Sequence, residues 1–480
     1  MSFVLSKAVS PPTTFLARLA ELSDRFDPEM VLFLRKTHNF KYPVSRLREF
    51  FREPPQYGAG ERGMERETID KPRYVRITDI DEYGILNDVL GATAATIEPR
   101  YILEEDDLLL ARSGNTVGKS YLHKTAHVSY PCFFAGYLIR FRFDTSRILP
   151  DYVFALTQLS YYKEWVQAVQ RAAGQPNINA WEYSNLQIPM PPLRVQKTII
   201  ERLKMAYDTK RTKERQAYNF LEKVDRLLLA ELGIISTPAS PNTIENRIFK
   251  RPFSEVTGGR IDPLYHHGDI FAFVRDANCD LPRLGNHVTM FLTGFAAGRN
   301  DQGNEENGII QIRPTNISED RELVFRRNVY IAPIELRNKP YDRLKRHEVL
   351  FNNTNSQEQV GKTAFFDLEG DYFCSNHITR IATGGDRIDP QYLCYVLNLY
   401  QRQKVFFKLC TNWNNQSGVG VDVLSKIPVP LLELERQKHI VRRLDKIRID
   451  AQELRRKASQ ELEAAKMVIE TIILGEGDKS

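Results

Sequence analysis

Slid along itself, the chain finds a diverged second copy of its first half in the same order, and this repeat limits what it can fold into. Arg25-Phe26-Asp27-Pro28 returns as Arg260-Ile261-Asp262-Pro263, and Val75-Arg76-Ile77-Thr78-Asp79-Ile80 returns as Ile312-Arg313-Pro314-Thr315-Asn316-Ile317. Asp107-Leu108-Leu109, followed by Val117-Gly118-Lys119-Ser120, is echoed by Glu348-Val349-Leu350 and Val360-Gly361-Lys362-Thr363. Arg147-Ile148-Leu149-Pro150-Asp151-Tyr152 matches Arg387-Ile388-Asp389-Pro390-Gln391-Tyr392, and Ile188-Pro189-Met190-Pro191 matches Ile427-Pro428-Val429-Pro430. The offset of about 240 residues exceeds the roughly 20–50-residue period of solenoids and propellers, so each copy is expected to be a whole domain with its own core.

Within each copy, β-rich runs such as Tyr74 to Ile80, Leu138 to Phe143, Gly308 to Ile312 and His377 to Ile381 alternate with turn residues and amphipathic stretches. That pattern predicts mixed α/β (α+β) domains. Each copy ends in a Pro-rich stop and then a long charged helix, since proline suits a first helical turn, where its missing N–H has no partner anyway. After the second stop Ile440, Leu444, Ile447, Ala451, Leu454 and Ala458 recur at heptad spacing, and such a seam needs a partner. Ile200, Leu203, Tyr207, Ala217, Leu221, Val224 and Leu228 form a similar stripe in the first helix, interrupted by Lys210 and Glu214. The stripe could serve a helix packed on its own domain, but two such helices at equivalent places favour pairing within the chain. Ser236-Thr237-Pro238-Ala239-Ser240-Pro241-Asn242 cannot continue a helix. The expected plan is a first domain over 1–190, a helix over 191–233 stopping near Gly233, a linker over 234–244, a second domain over 245–428 and a C-terminal helix over 429–475.

Composition adds bounds. With 67 Lys plus Arg against 61 Asp plus Glu the net charge is +6, which permits a polyanionic partner without demonstrating one. The 5 cysteines, Cys132, Cys279, Cys374, Cys394 and Cys410, lie far apart with no C-x-x-C pair, so a reducing cytoplasm is the expected compartment. Met1 to Ala20 mixes Lys7, Pro11, Pro12 and Arg18 into its apolar residues, and no window approaches the roughly 18 apolar residues of a membrane span.

Several runs imitate catalytic motifs. Gly58-Ala59-Gly60-Glu61-Arg62-Gly63 fits G-x-G-x-x-G, but no preceding strand is expected and the charged run Glu61 to Arg66 is a poor start for a dinucleotide-binding helix. Ser113 to Ser120 resembles a phosphate-binding loop with Ser113 where the first glycine belongs, and Ser356 stands there in the second copy. A turn shared by both copies, with Lys119 and Lys362 available to phosphates, explains more. The 9 histidines form no H-E-x-x-H and no Cys/His cluster, and His266-His267 reads as a solvated pair, so no metal site is expected. Glu104-Glu105-Asp106-Asp107 reads as a solvated turn before the strand Leu108 to Ala111. Pro54-Pro55 follows Glu53, so the N-P-P-Y-type motor of amino-methyltransferases is absent, and no acidic–acidic–Lys nuclease core is evident. No catalytic residue is expected.

The strand V-R-I-T-D-I at 75–80, the block D-L-L-L-A-R-S-G-N-T-V-G-K at 107–119, and N-L-Q-I-P-M-P-P-L-R-V-Q-K-T-I-I-E-R-L at 185–203 come in a telling order. With L-S-K-I-P-V-P-L-L-E-L-E-R-Q-K-H-I-V-R-R-L at 424–444 in the second copy, the whole chain closely resembles the specificity subunit of type I restriction-modification systems. The resemblance implies two target-recognition domains reading a split DNA site and long helices paired as an antiparallel coiled-coil spacer. It also implies that the helices dock two methyltransferase subunits, with restriction subunits as further partners. S-adenosylmethionine, Mg2+ and ATP would then belong to the partner subunits and none to this chain. A rod of about 35 helical residues spans about 50 Å, which would fix the gap in the target.

On that reading Lys and Arg supply salt-sensitive phosphate contacts, while Asn, Gln, Arg, Ser and Thr at base edges discriminate. The candidates are Arg112, Ser113, Asn115 and Thr116 in copy one and Asn352, Asn353, Asn355, Ser356 and Gln357 in copy two. A second pair of segments, Gln175 to Asn179 and Asn412 to Ser417, contributes Gln175, Asn177, Asn179, Asn415 and Gln416, although amide-rich turns also satisfy their own backbone. Arg76, Lys119, Arg313 and Lys362 complete the set. The second copy's loop is longer and richer in amides, so its target should differ. Two other readings stay open: a specificity subunit of a related two-subunit restriction enzyme, and a coiled-coil interaction protein that binds no DNA.

Overall fold

The computed structural model of the chain describes residues 28–37, 40–81, 83–87, 89–114, 116–170, 176–234, 243–256, 260–298, 301–326, 328–413 and 416–474. The chain divides into two compact units, one of residues 1–213 with 456–480 and one of residues 214–455.

The first unit opens with α1 (Pro28–Thr37), then β1 (Val44–Arg46), β2 (Phe51–Tyr57), β3 (Met64–Glu65), β4 (Arg73–Val75) and β5 (Ala92–Thr93). It continues through β6 (Leu108–Ala111), β7 (Ser120–Leu122), β8 (Cys132–Phe134) and β9 (Leu138–Phe143). Helices α2 (Pro150–Thr157), α3 (Ser160–Val169) and α4 (Ala180–Ser184) lead through β10 (Gln187–Pro189) into the long helix α5 (Leu193–Glu231). Strands β2, β9, β6 and β7 form one antiparallel sheet in that order, and β3, β5, β4 and β8 form another, in which β4 and β8 run parallel. β6 is apolar at every position because both its faces are covered. Leu108 and Leu110 pack with Phe141, Tyr152 and Trp165, while Leu109 and Ala111 pack with Val75, Phe134 and Leu138. Pro54-Pro55 lie on edge strand β2 where its register against β9 shifts, the place where residues without an N–H are tolerated.

The second unit begins with four one-turn helices, α6 (Ile244–Arg247), α7 (Phe253–Val256), α8 (Pro263–His266) and α9 (Ala272–Arg275). Then come β11 (Met290–Thr293), β12 (Ile309–Ile312), β13 (Val329–Ile331), α10 (Glu335–Asn338), β14 (Glu348–Asn352), β15 (Thr354–Asn355), β16 (Thr363–Phe366), β17 (Tyr372–Cys374) and β18 (Ile378–Ala382). After α11 (Pro390–Arg402), α12 (Val405–Leu409), β19 (Thr411–Trp413), β20 (Gln416–Gly418) and α13 (Val421–Leu424), the second long helix α14 covers Leu434–Ile473. The sheet order β11-β18-β14-β16 repeats β2-β9-β6-β7, and the parallel pair β12–β17 repeats β4–β8. Duplication of a whole mixed domain is thus observed.

Within the described residues, the matched sequence blocks from Val75 and Ile312 onward are scaffold. The strand expected over Tyr74 to Ile80 stops at Val75, because Ile77–Asp79 form a 3-10 turn, as do Pro314–Asn316. Asp79 and Asn316 accept the backbone N–H of Arg76 at 3.0 Å and of Arg313 at 2.9 Å, which explains an Asp or Asn at that place in both copies. A strand does precede Gly58, contrary to expectation, but the run leads into β3 rather than a helix, and Gly58 lies where a side chain would strike the Ala135 carbonyl at 2.3 Å. Tyr152 and Tyr392, each in the first turn of its helix, donate their hydroxyls to the Pro189 and Pro430 carbonyls at 2.8 and 3.0 Å.

The long helices start at Leu193 and Leu434, after rather than within the Pro-rich stops, and Gly233, at φ 71°, follows the end of α5. In the first unit, Ile199 and Leu203 of α5 share a core with Leu462, Ile469 and Ile473 of α14, and Lys213 meets Glu461. In the second, Val224, Leu228 and Leu229 of α5 share a core with Ile440, Val441 and Leu444 of α14, and Glu231 meets Arg436 and Arg443. In both units the helices run antiparallel. Ile199 is fully buried, and Ile200 packs half-buried against the same core.

One buried glutamine anchors each long helix. Gln437 accepts from the Asp389 N–H at 2.9 Å and donates to the Arg387 and Leu432 carbonyls, and Gln196 accepts from the Leu149 N–H at 3.0 Å. Gln437→Leu strands those three backbone groups and is expected to destabilise the second unit by about 2–4 kcal/mol in urea unfolding. An unchanged midpoint would mean that water replaces the amide.

Candidate nucleic-acid interface

The hairpin loops β6–β7 and β14–β16 are built alike. Gly118 and Gly361, at φ 86° and 89°, turn the chain with no room for a side chain, since a Cβ would meet Val166 of α3 at 2.7 Å or Phe406 of α12 at 2.2 Å. The next residue braces the loop from inside. Lys119 Nζ donates to the Ile77 and Ile80 carbonyls, and the buried Lys362 pairs with Glu319. Lys362 is therefore not available to a phosphate as expected. Burial lowers its pKa against the opposing pull of Glu319.

Each braced loop is joined to a segment far along the chain. In the first unit Ser113 pairs with Asn177, the Gly114 N–H donates to the Pro176 carbonyl at 3.1 Å, and the Ile178 N–H donates to the Arg112 carbonyl at 2.8 Å. The two candidate segments of copy one thus form a single platform. The Arg112 guanidinium stacks over Tyr57 at 4.7 Å, the Tyr57 hydroxyl accepts the Ala180 N–H at 3.1 Å, and Trp181 stands 52% exposed beside it. Thr116 and Asn177 are exposed, whereas Asn179 is spent as the N-cap of α4, exchanging hydrogen bonds with Glu182.

The second unit repeats this as a small antiparallel sheet in which Thr354 pairs with Gly418, Asn355 with Ser417 and Trp413 with Gln416. Trp413 is 46% exposed and lies over Gly418, where a Cβ would meet its ring at 2.4 Å. Ser356 and Gln416 are exposed, and Gln357 Nε2 holds the Phe407 carbonyl at 2.9 Å. Two more candidates are corrected: Asn352, the last residue of β14, and Asn353, which follows it, are buried rather than exposed. Asn352 donates to the Gln359 carbonyl, and Asn353 donates to the Asn376 carbonyl and the Thr379 hydroxyl, so each carboxamide fastens loop to strand.

Asn115, Gln175 and Asn415 lie outside the described residues. Arg76 is half-tied, its guanidinium gripping the buried Asp79 at 2.9 and 3.1 Å, while Arg313 is exposed. The aromatic rims, Tyr57, Trp181 and Trp413, were missed from the sequence. Among the described residues no group of three or more His, Cys, Asp or Glu side chains could hold a metal ion, and no helix is long and apolar enough to cross a membrane. Burial pushes the thiols of Cys132, Cys374 and Cys394 up to about 12, which suits core groups rather than nucleophiles.

Comparison with known proteins places this architecture. The model of the type I restriction modification DNA specificity domain matches residues 90–223 and 308–464, together more than half of the chain and one stretch in each copy. The MjaVIII specificity subunit of a type I restriction enzyme from Methanocaldococcus jannaschii is 22% identical over 78% of this chain and 79% of its own length. The StySPI specificity subunit from Salmonella potsdam is 22% identical over 81% of this chain and 79% of its own. A solved chain from a type I R-M system covers 90% of this chain and 96% of its own length at 15% identity, with a TM-score of 0.48.

Proposed function

Since the chain belongs to the type I restriction-modification DNA-specificity family, we propose that its two platforms each read one part of a split double-stranded DNA target. The observation that carries this reading is the pairing, in both units, of two polar segments distant in sequence into one surface with an exposed tryptophan. Ser113, Thr116 and Asn177 in the first unit and Asn355, Ser356 and Gln416 in the second offer hydroxyl and amide groups of the kind that discriminate base edges. Arg112 on Tyr57 and the exposed Arg313 suit phosphate contact. The antiparallel helices act as spacer and as the dock for two methyltransferase subunits, for which Met205 and Met467 in the first unit and Ile449 in the second are exposed apolar contacts. Methyl transfer and cleavage, with S-adenosylmethionine, Mg2+ and ATP, reside in the partner subunits, and restriction subunits join the same complex in the cytoplasm.

The test is co-expression with the native methyltransferase partner and mapping of modified adenines across host DNA. A split motif with a constant gap is expected. Asn355→Ala with Gln416→Ala should relax one half-site and leave the other intact, each lost base contact weakening discrimination by about 1–3 kcal/mol. No chain-dependent methylation, with the partner active, would overturn the reading in favour of an interaction protein.

A further inference from the structure

In each unit, three strands of the sheet that carries the braced loop stop at one end, and a tight turn enters the sheet there. In the first unit β2 ends at Tyr57, β6 ends at Ala111 and β9 begins at Leu138, and the turn Ala135-Gly136-Tyr137 leads from β8 into β9. In the second, β11 ends at Thr293, β14 ends at Asn352 and β18 begins at Ile378, and Ser375-Asn376-His377 leads from β17 into β18.

The two turns share one backbone. The Ala135 N–H donates to the Val75 carbonyl at 3.0 Å, as the Ser375 N–H does to the Ile312 carbonyl at 2.9 Å. The Leu138 N–H closes on the Ala135 carbonyl at 2.8 Å, and the Ile378 N–H on the Ser375 carbonyl at 2.9 Å. The carbonyl of the last turn residue, Tyr137 or His377, accepts the N–H of Arg112 at 2.9 Å or of Asn353 at 3.0 Å. Arg112 and Asn353 in turn accept, on their own carbonyls, the N–H groups of Ile178 at 2.8 Å and Val419 at 2.9 Å. Each turn is therefore hydrogen-bonded to the residue whose other edge joins the distant polar segment, which adds a third segment to each platform.

On this common frame the side chains diverge. Phe133 matches Phe373 and Leu138 matches Ile378, but Gly136-Tyr137 stands where the second copy has Asn376-His377. The Tyr137 ring is 66% exposed, and Asn376 is exposed while His377 is half-buried. An isolated exposed ring needs no explanation by itself. Here the backbone beneath it is fixed identically in both units, so the difference lies in what each turn presents outward.

We infer that these turns are a third reading segment, in which Tyr137 packs on the methyl group of a thymine in one half-site and Asn376 pairs with the N6–N7 edge of an adenine in the other. Apolar side chains suit the thymine methyl, and a carboxamide matches that adenine edge. The inference rests on the split-target reading proposed above. The test is methylation mapping and duplex binding by the methyltransferase complex carrying Tyr137→Ala, Tyr137→Phe or Asn376→Ala. Tyr137→Ala is expected to lower the preference for one thymine of the first half-site about fourfold or more, with the second half-site unchanged. Asn376→Ala should lower the preference for one adenine of the second about tenfold or more. Tyr137→Phe keeps the ring and should write the wild-type motif. Deoxyuridine in place of that thymine removes only the methyl group, so it should weaken wild-type binding about fourfold and leave Tyr137→Ala unaffected. All three variants should melt within about 2 °C of wild type, since the side chains are exposed. A half-site relaxed only together with a larger fall in melting temperature would mean an effect through the fold and overturn the assignment. Unchanged motifs in Tyr137→Ala and Asn376→Ala would overturn the third segment and leave the split-target reading standing, whereas a wild-type complex that writes no split motif would overturn both.

Discussion

Replacing Glu348 by alanine is expected to destabilise the second unit by about 3–5 kcal/mol, the penalty for leaving a buried charge alone. Arg380 of β18 pairs in register with Leu350 of β14 and reaches diagonally to Glu348, the two side chains 1% and 3% exposed, with Nε and Nη2 on the two carboxylate oxygens at 2.9 and 2.7 Å. Arg380 also donates to the Tyr341 and Arg343 carbonyls at 2.8 and 2.9 Å, which cannot neutralise it. Hydrogen exchange of β14 and β18 peptides reads the loss in that unit alone. Glu348→Met with Arg380→Met removes both charges and should recover most of the loss. The matching Asp107 sets a milder case: its partner Arg142 also meets Glu53 at 2.9 Å and Glu104 at 3.2 Å and stays paired in Asp107→Ala, while the buried Arg140 loses only a longer contact of 3.6 Å and keeps its hydrogen bonds to the Ile102 carbonyl and Gln56. Equal losses from Glu348→Ala and Asp107→Ala would refute the account.

The same comparison shows why the fold was legible. Four of the five matched blocks, those within the described residues of both copies, fix backbone: the capped 3-10 turns at Asp79 and Asn316, the glycine turns at Gly118 and Gly361, the tyrosines that tie α2 and α11 to the Pro-rich stops. Two domains with the same sheets must keep these residues, whatever each binds, so a self-comparison finds the scaffold. The heptad stripes were legible for a similar reason, since Ile440, Leu444, Ala451 and Ala458 are all buried.

The candidate site was only half legible, for the converse reason. Choosing polar residues beside matched landmarks led to Asn352, Asn353 and Lys362, which are scaffold themselves. The joining of Ser113 to Asn177, or of Asn355 to Ser417, depends on pairing between segments some sixty residues apart, which no local pattern encodes. Nor could the exposure of Trp181 and Trp413 be read, since an isolated tryptophan is more often core.

Gly361→Ala is expected to destabilise the second unit by about 2–5 kcal/mol, and a second glycine of that unit, Gly385, separates its two causes. At φ 89° any side chain carries the left-handed penalty of about 1–2 kcal/mol. The new Cβ would also lie 2.2 Å from the Phe406 ring, which is fully buried and packed edge-on against Phe351 at 4.9 Å, so overpacking adds about 1–3 kcal/mol. Gly385, at φ 80°, has nothing within 4 Å of its virtual Cβ, so Gly385→Ala carries the backbone penalty alone. The difference between the two urea midpoints isolates the packing contribution, and no difference would sink it. Phe406 precedes Phe407, whose carbonyl Gln357 holds, and α12 leads into β19. Shifting Phe406 should therefore disturb the second platform, and under the proposed reading Gly361→Ala would lose one half-site of the methylation motif at temperatures where the other is kept.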